Sequence, residues 1–150
     1  VQKLKCLYIW HLCKRKARFS MIDHEDFYVD KVAKAIKQYY PNAEVVSEYV
    51  PKPSRFPHIY FREADNTTDT ISVPIKGGEA LARLMYSVDV FSNAQSERKQ
   101  ECKTIMGIID SVMLNYYFQR TMCNPIPNLN DATIYRMVAR YSKTESKTEV

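Results

Sequence analysis

At 150 residues, with 45% hydrophobic and 26% charged side chains, the chain has the composition of a globular protein able to bury one core without disulfides or metal. That excludes a disulfide-dense miniprotein and a low-complexity polymer. The formal net charge of +5 points to nucleic acid only until its distribution is read. Lys3, Lys5, Lys14, Arg15, Lys16 and Arg18 fall in residues 1–20 without any acid, so the remaining 130 residues carry 16 basic against 17 acidic side chains, a net charge of −1.

Residues 1–20 differ from the rest of the chain. A short apolar patch from Cys6 to Cys13 has basic flanks, and Lys14, Arg15, Lys16 and Arg18 stand where a signal peptide needs small residues for cleavage. No apolar run approaches the ~20 residues of a membrane span. We read this stretch as a basic N-terminal extension. It is either sequence translated upstream of a functional start at Met21 or an arm that would hold phosphates or acidic lipid by charge. Residues 21–141 are predicted to form a single domain and residues 142–150 a polar tail.

Asp23 is placed to cap a helix whose first turn carries Glu25 and Asp26, the charge favoured at that end. Val29, Val32, Ala33, Ile36 and Tyr40 share one face, Lys31, Lys34 and Lys37 the other, and Pro41 stops the helix. The β-branched run from Val45 to Val50 predicts a strand halted by Pro51 and Pro53. His58 to Glu63 predicts a second strand with Ile59 and Phe61 on its apolar side. Asp65-Asn66 is then expected to open a polar loop reaching Gly78.

Leu84, Tyr86, Val88 and Val90 alternate with Met85, Ser87 and Asp89, a strand by its period of two. Phe91-Ser92-Asn93 breaks the alternation, and Ser92 with Gln95 has capping-box spacing. From Cys102 the period becomes helical. Ile105, Met106, Ile109, Val112, Met113, Tyr116 and Tyr117 form one stripe, with Lys99, Lys103 and Asp110 off it. Gly107 costs about 1 kcal/mol relative to Ala within that helix and is read as close backbone packing or a local weakness. Fraying is expected across Tyr117 to Arg120, an extended segment at Pro125 and Pro127, and a turn from Asn128 to Asp131. The last strand, Thr133 to Tyr141, puts Tyr135, Met137, Ala139 and Tyr141 on one side and Ile134, Arg136, Val138 and Arg140 on the other. Strand, helix and last strand are expected to make the core.

Catalytic and metal chemistry find little support in these residues. His11, His24 and His58 lack metal-ligand spacing, and no G-x-S-x-G elbow occurs. Cys6, Cys13, Cys102 and Cys123 form no C-x-x-C pair, which fits a reduced intracellular setting, and Cys102 on the apolar stripe is expected to be inert. Lys76-Gly77-Gly78 reads as a turn rather than a phosphate cradle. No enzyme activity, cofactor or metal is therefore expected. Arg136 and Arg140, with Arg62, suggest a basic stripe that is either solvated or an ion-pairing subunit edge. The eleven tyrosines exceed what one small core needs and point toward an assembly interface.

A set of segments carries a family resemblance. These are Phe56-Pro57 leading to Glu63-Ala64-Asp65-Asn66-Thr67-Thr68, Met85 to Asn93, Cys102-Lys103 to Ile109-Asp110, Phe118-Gln119-Arg120, Asn124-Pro125-Ile126-Pro127-Asn128-Leu129 and Asp131 to Tyr141. In this order, across about residues 22 to 141, the chain resembles the small tail terminator, or tail completion, proteins of long-tailed bacteriophages, a group also called minor capsid proteins. The resemblance implies an α/β subunit of α+β type: a mixed, mainly antiparallel sheet of about four to five strands with two main helices packed on one face. It also implies a ring, typically a hexamer, on the head-proximal end of the tail tube, ending tube polymerisation and presenting the head-joining surface. Partners would be further copies of the chain, the tail tube protein and the head-neck connector, with no membrane and no specific nucleic acid. The location would be the virion's head-tail junction, after assembly in the bacterial cytoplasm.

By position in such a fold, interface contacts are expected at Asp65, Asn66, Asp69, Lys76, Asn128 and Asp131, beside Arg136 and Arg140 of the stripe. Two departures stand out. Tyr117 occupies a place where a glycine commonly precedes the aromatic at the helix end, and the segment after Tyr141 is short and polar. The neighbouring reading is a neck or head-closure protein with the same symmetry and a different partner. A reading of another class is a small nucleic-acid-binding module using residues 1–20.

Overall fold

Alternating apolar residues with neighbours on both sides belong at the centre of a sheet, and the 84–90 segment lies there. The computed structural model describes residues 21–69 and 79–146. In chain order these contain helix α1 (Glu25–Tyr39), strands β1 (Glu44–Val46), β2 (His58–Thr68) and β3 (Leu81–Ser92), helix α2 (Arg98–Asn115), and strands β4 (Gln119–Pro125) and β5 (Tyr135–Ser146). The strands form one mixed sheet in the order β1-β2-β3-β5-β4, with β1 parallel to β2 and every other pairing antiparallel. Both helices pack on the same face, so the fold is α+β.

Period two turns Ile59 and Phe61 of β2, Leu84, Tyr86, Val88 and Val90 of β3, and Ala139 and Tyr141 of β5 toward the helices, where all are fully buried. They meet Tyr28, Val32 and Ile36 of α1 and Cys102, Ile105, Met106, Ile109 and Met113 of α2. Burying each large apolar side chain stabilises by roughly 1.5–3 kcal/mol, so packing rather than helix propensity holds the two helices. Tyr28 was not on the expected face of α1, yet it is 1% exposed and sits among Phe27, Tyr86, Tyr116 and Phe118, with ring centroids 5.0–5.6 Å away.

Strand lengths differ from expectation at both ends of the sheet. β1 stops at Val46 because a bend at Ser47–Glu48 takes the chain off the sheet edge. β2 continues through Asp65 and Asn66, expected in a loop, to Thr68. A bulge between Glu63 and Asp65 lets the polar run re-register against β3, with Asp65 opposite Met85 and Asn66 opposite Leu84. β5 likewise extends past Tyr141 to Ser146, so residues 142–146 are strand rather than tail, paired with Leu81 to Met85. Long-range pairing overrides the weak strand propensity of these polar residues. The remainder of the expected polar loop, from residue 70 through Lys76 and the turn at Gly77-Gly78, and the basic extension lie outside the described residues.

The helix ends are also built differently. His24, not Asp23, holds the N-cap position of α1, and Asp23 Oδ1 accepts instead from the Glu25 amide at 3.2 Å. The Ser92–Gln95 capping box does not form: Ser92 ends β3, its hydroxyl bonded to the Glu101 carboxylate and accepting from the Ala94 amide at 3.3 Å, while α2 starts at Arg98. Where fraying was expected, α2 closes in a Schellman pattern. The Phe118 amide donates to the Met113 carbonyl at 3.0 Å and the Tyr117 amide to the Leu114 carbonyl at 2.9 Å. This closure requires a left-handed residue at Tyr117, φ 64°, which throws its side chain off the apolar stripe to 83% exposure. Phe118 is then buried, and β4 begins at Gln119.

Gly107 is exposed, and a Cβ there would meet nothing within 4 Å, so it does not mark close packing. Gly107→Ala should raise the unfolding free energy by about 1 kcal/mol through helix propensity. Tyr117→Gly should raise it by about 1 kcal/mol by relieving the left-handed backbone. Urea midpoints at unchanged slope would register both shifts; a destabilised Tyr117→Gly variant would show that the tyrosine packs usefully within its own subunit.

Candidate functional site

The face of the sheet without helices receives the residues between the core positions: His58, Tyr60 and Arg62 of β2, Ser87, Asp89 and Phe91 of β3, and Arg136, Val138 and Arg140 of β5. Such a face is ordinarily solvated, but His58, Ser87, Asp89 and Val138 are at most 4% exposed. After the bend at Ser47 the 49–56 segment rises along one side, and the 128–134 turn rises along the other, bounding a cavity of about 660 Å³. Tyr49, Pro51, Pro53 and Phe56 line one wall, Asn128 and Asp131 the opposite one, and Phe91, Asp89 and Arg136 the floor.

Register explains the floor. Glu44, His58, Phe91 and Arg136 lie directly opposite one another across four strands. Glu44 Oε2 lies 3.1 Å from His58 Nδ1, and the His58 ring faces Phe91 at 5.9 Å. The Arg136 guanidinium stacks over Phe91 at 5.4 Å and its Nη2 donates to Asp89 Oδ2 at 3.1 Å. One acceptor and one donor of this pair, Asp89 Oδ1 and Arg136 Nε, are buried without a hydrogen-bond partner among the described residues. Ser87 Oγ, one alternation along β3 from Asp89, is in the same condition. A buried polar atom left in this state costs about 1–3 kcal/mol; Asp89 and Arg136 are in the lining of the cavity and Ser87 is not.

Charge narrows what this cavity would accept. Lys52 and Asp131 are both at the rim and Asp89 faces Arg136 within, so acids and bases balance. Neither an anion nor a cation gains from such a site. A neutral group that both donates and accepts, carried on an apolar body, matches the polar floor and the proline and aromatic walls. Neither Cys102 nor Cys123 lines this cavity. Cys102 lies on the opposite face of the sheet with its thiol pushed up to about 12 by burial, and burial also raises the Cys123 thiol. Among the described residues no group of three His, Cys, Asp or Glu side chains could hold a metal ion.

The structure brings together three of the expected interface residues, Asn128, Asp131 and Arg136, around this cavity. The others lie apart. Arg140 is exposed further along the same face, opposite Ser87 and Met122. Asp65 is exposed on β2, and Asn66 is a structural staple, its Nδ2 donating to the Ile22 carbonyl at 2.8 Å and to Glu63 Oε2 at 3.2 Å. Asp69 is half-buried just past β2, where its amide donates to the Leu81 carbonyl at 2.9 Å. Lys76 lies outside the described residues. Asp89 and Phe91 were missed as site residues, although an acid between Val88 and Val90 in a central strand is itself a signal. Tyr49, expected in the strand from Val45 to Val50, lies beyond the end of β1 and lines the cavity together with Phe56.

Asp89 is nearly fully buried, so removing its cation leaves an uncompensated charge: Arg136→Ala should destabilise by about 3 kcal/mol. Urea titration checks this, and a loss below about 0.5 kcal/mol would mean that Asp89 is solvated. Asp131 has its carboxyl held below the usual range by the Thr133 hydroxyl, which donates at 2.5 Å, and by the Thr133 amide at 2.8 Å. A lowered carboxyl pKa means that the turn is held above the unfolded value and released as pH falls through the folded one. The Thr133 amide resonance should therefore titrate below the ordinary aspartate range; a midpoint at the ordinary value would remove the turn's electrostatic support. No protein-family model and no curated protein matches the chain, so the functional reading rests on the geometry and on the resemblance in its sequence.

Proposed function

We propose that the chain is a non-enzymatic virion assembly protein of a long-tailed phage or prophage, a tail terminator that caps the tail tube as a ring. The observation that supports this most directly is the helix-free sheet face. It carries a walled cavity with unspent hydrogen-bonding groups in place of a constellation of acid, base and nucleophile, and such a surface suits association better than turnover. The α+β architecture agrees with what the sequence resemblance implies. No helix among the described residues is long and apolar enough to cross a membrane.

The mechanism is geometric. A closed ring of identical subunits covers the growing end of the tube and buries the surface that the next tube subunit would need, while its opposite side is left for the head connector. Each subunit must then offer two unlike surfaces to its neighbours. The cavity face supplies one of these.

Light scattering of the full chain across a concentration series, followed by negative-stain imaging, should show a closed ring, alone or on purified tail tubes. Arg140→Glu, which reverses an exposed charge on the cavity face without touching the Asp89 pair, should weaken assembly and leave the fold intact. Growth without closure would defeat the reading, as would a monomer that binds neither itself nor a tube. Stable binding to the purified connector with none to the tube would move the protein to the neck.

A further inference from the structure

Two features at opposite ends of the subunit remain unexplained by its own packing. One is the cavity, with Asp89 Oδ1 and Arg136 Nε of its floor residues buried and unpartnered among the described residues. The other is Tyr117, a bulky residue held in the left-handed region at φ 64° and 83% exposed. A strained backbone at a non-glycine residue costs stability, and here the side chain returns no burial within the subunit.

The separation between them follows from α2. Its first residue, Arg98, reaches the carbonyls of Ala132 and Thr133, in the turn that walls the cavity. Its last turn leads to Tyr117 beside the start of β4. The helix has 18 residues and so spans about 27 Å. A contact joining one end of a subunit to the other end of the next is heterologous, the kind that propagates around a ring.

Chemistry selects the occupant. The floor is the charge-balanced Asp89–Arg136 pair and the walls are proline and aromatic, which suits a phenol: its hydroxyl both donates and accepts, and its ring is apolar. Three exposed large side chains among the described residues carry a hydroxyl, Tyr39, Tyr49 and Tyr117. Tyr49 is part of the cavity wall. Tyr39 ends α1, shortly before β1, and therefore lies at the cavity's own end of the subunit. Only Tyr117 lies at the far end.

We infer that the Tyr117 side chain of one copy inserts into the cavity of the next, its ring against the proline and aromatic walls and its hydroxyl against the Asp89–Arg136 pair of the floor. This deepens the ring reading and rests on it, since the occupant is a second copy of the chain. It assigns the two unlike surfaces that such a ring needs. It also accounts for tyrosine where the backbone favours glycine: the side chain serves the assembly at the expense of the lone subunit.

The test is a photo-crosslink on the full chain, alone and mixed with purified tail tubes, with benzoylphenylalanine in place of Tyr117. The expected result is a covalent ladder whose adducts map to residues 49–56, 89–91 and 128–136 of a second copy. Tyr117→Gly should at the same time raise the concentration needed for half-assembly by about tenfold or more, as truncating a buried interface tyrosine does. Tyr117→Phe, which keeps the ring and removes the hydroxyl, should lie between. Adducts elsewhere on an associated copy, or unchanged assembly of Tyr117→Gly, would overturn this docking and leave the ring reading standing. If the wild-type chain associates neither with itself nor on tubes, both fall.

Discussion

Everything in the molecule depends on β3 being buried on both faces from Tyr86 to Val90 and paired on both edges along nearly its whole length. From Ala82 to Phe91 its residues are opposed by β2 on one side and by β5 on the other, interrupted only at the β2 bulge. Such a strand has one workable register. A slip of a single residue would carry Leu84, Tyr86, Val88 and Val90 to the helix-free face and drive Ser87 and Asp89 into the aromatic core. The same alternation that closes the core against α1 and α2 therefore fixes where Asp89 and Phe91 stand on the other side. The cavity is a by-product of the core's register, positioned by it to within a residue.

Two buried carboxylates illustrate how differently this fold treats charge. Glu145 is fully buried near the end of β5, where Tyr28 Oη donates to both its oxygens at 2.7 and 2.9 Å, and His24 Nδ1 and Lys143 Nζ lie 3.3 and 3.5 Å away. Its hydrogen-bonding capacity is heavily used, and its role is to tie the start of α1 to the last strand. Asp89 has one oxygen on Arg136 and the other without a hydrogen-bond partner among the described residues. A satisfied group specifies the fold, whereas a half-satisfied one costs the isolated subunit free energy that a partner can recover.

How much of this was legible in the sequence depends on whether the determining contact was local. The β3 alternation and the α2 stripe were readable because apolar periodicity and burial coincide there: Cys102, Ile105, Met106, Ile109 and Met113 are all inside. Asp65, Asn66 and residues 142–146 were misread as loop and tail because their extended state comes from pairing with β3 rather than from any preference of Asp, Asn, Ser or Lys. Tyr28 was missed because its hydroxyl is satisfied by Glu145, 117 residues away. Of the site, Arg136, Asn128 and Asp131 came from pattern and family position. The wall from Tyr49 to Phe56 did not, since nothing in a proline-rich run says which surface it will cover.

The sheet's two outer margins carry a further consequence. β1 is three residues long, and β4 is bulged between Arg120 and Met122 and ends in Pro125, which has no amide hydrogen to offer. Short, kinked and proline-ended margins are poor templates for strand-by-strand addition, the route by which exposed sheets grow into fibrils. Open-ended stacking of copies along these margins is thereby disfavoured. Side-chain contacts, unlike a backbone ladder, have a geometry that can set a limit on number.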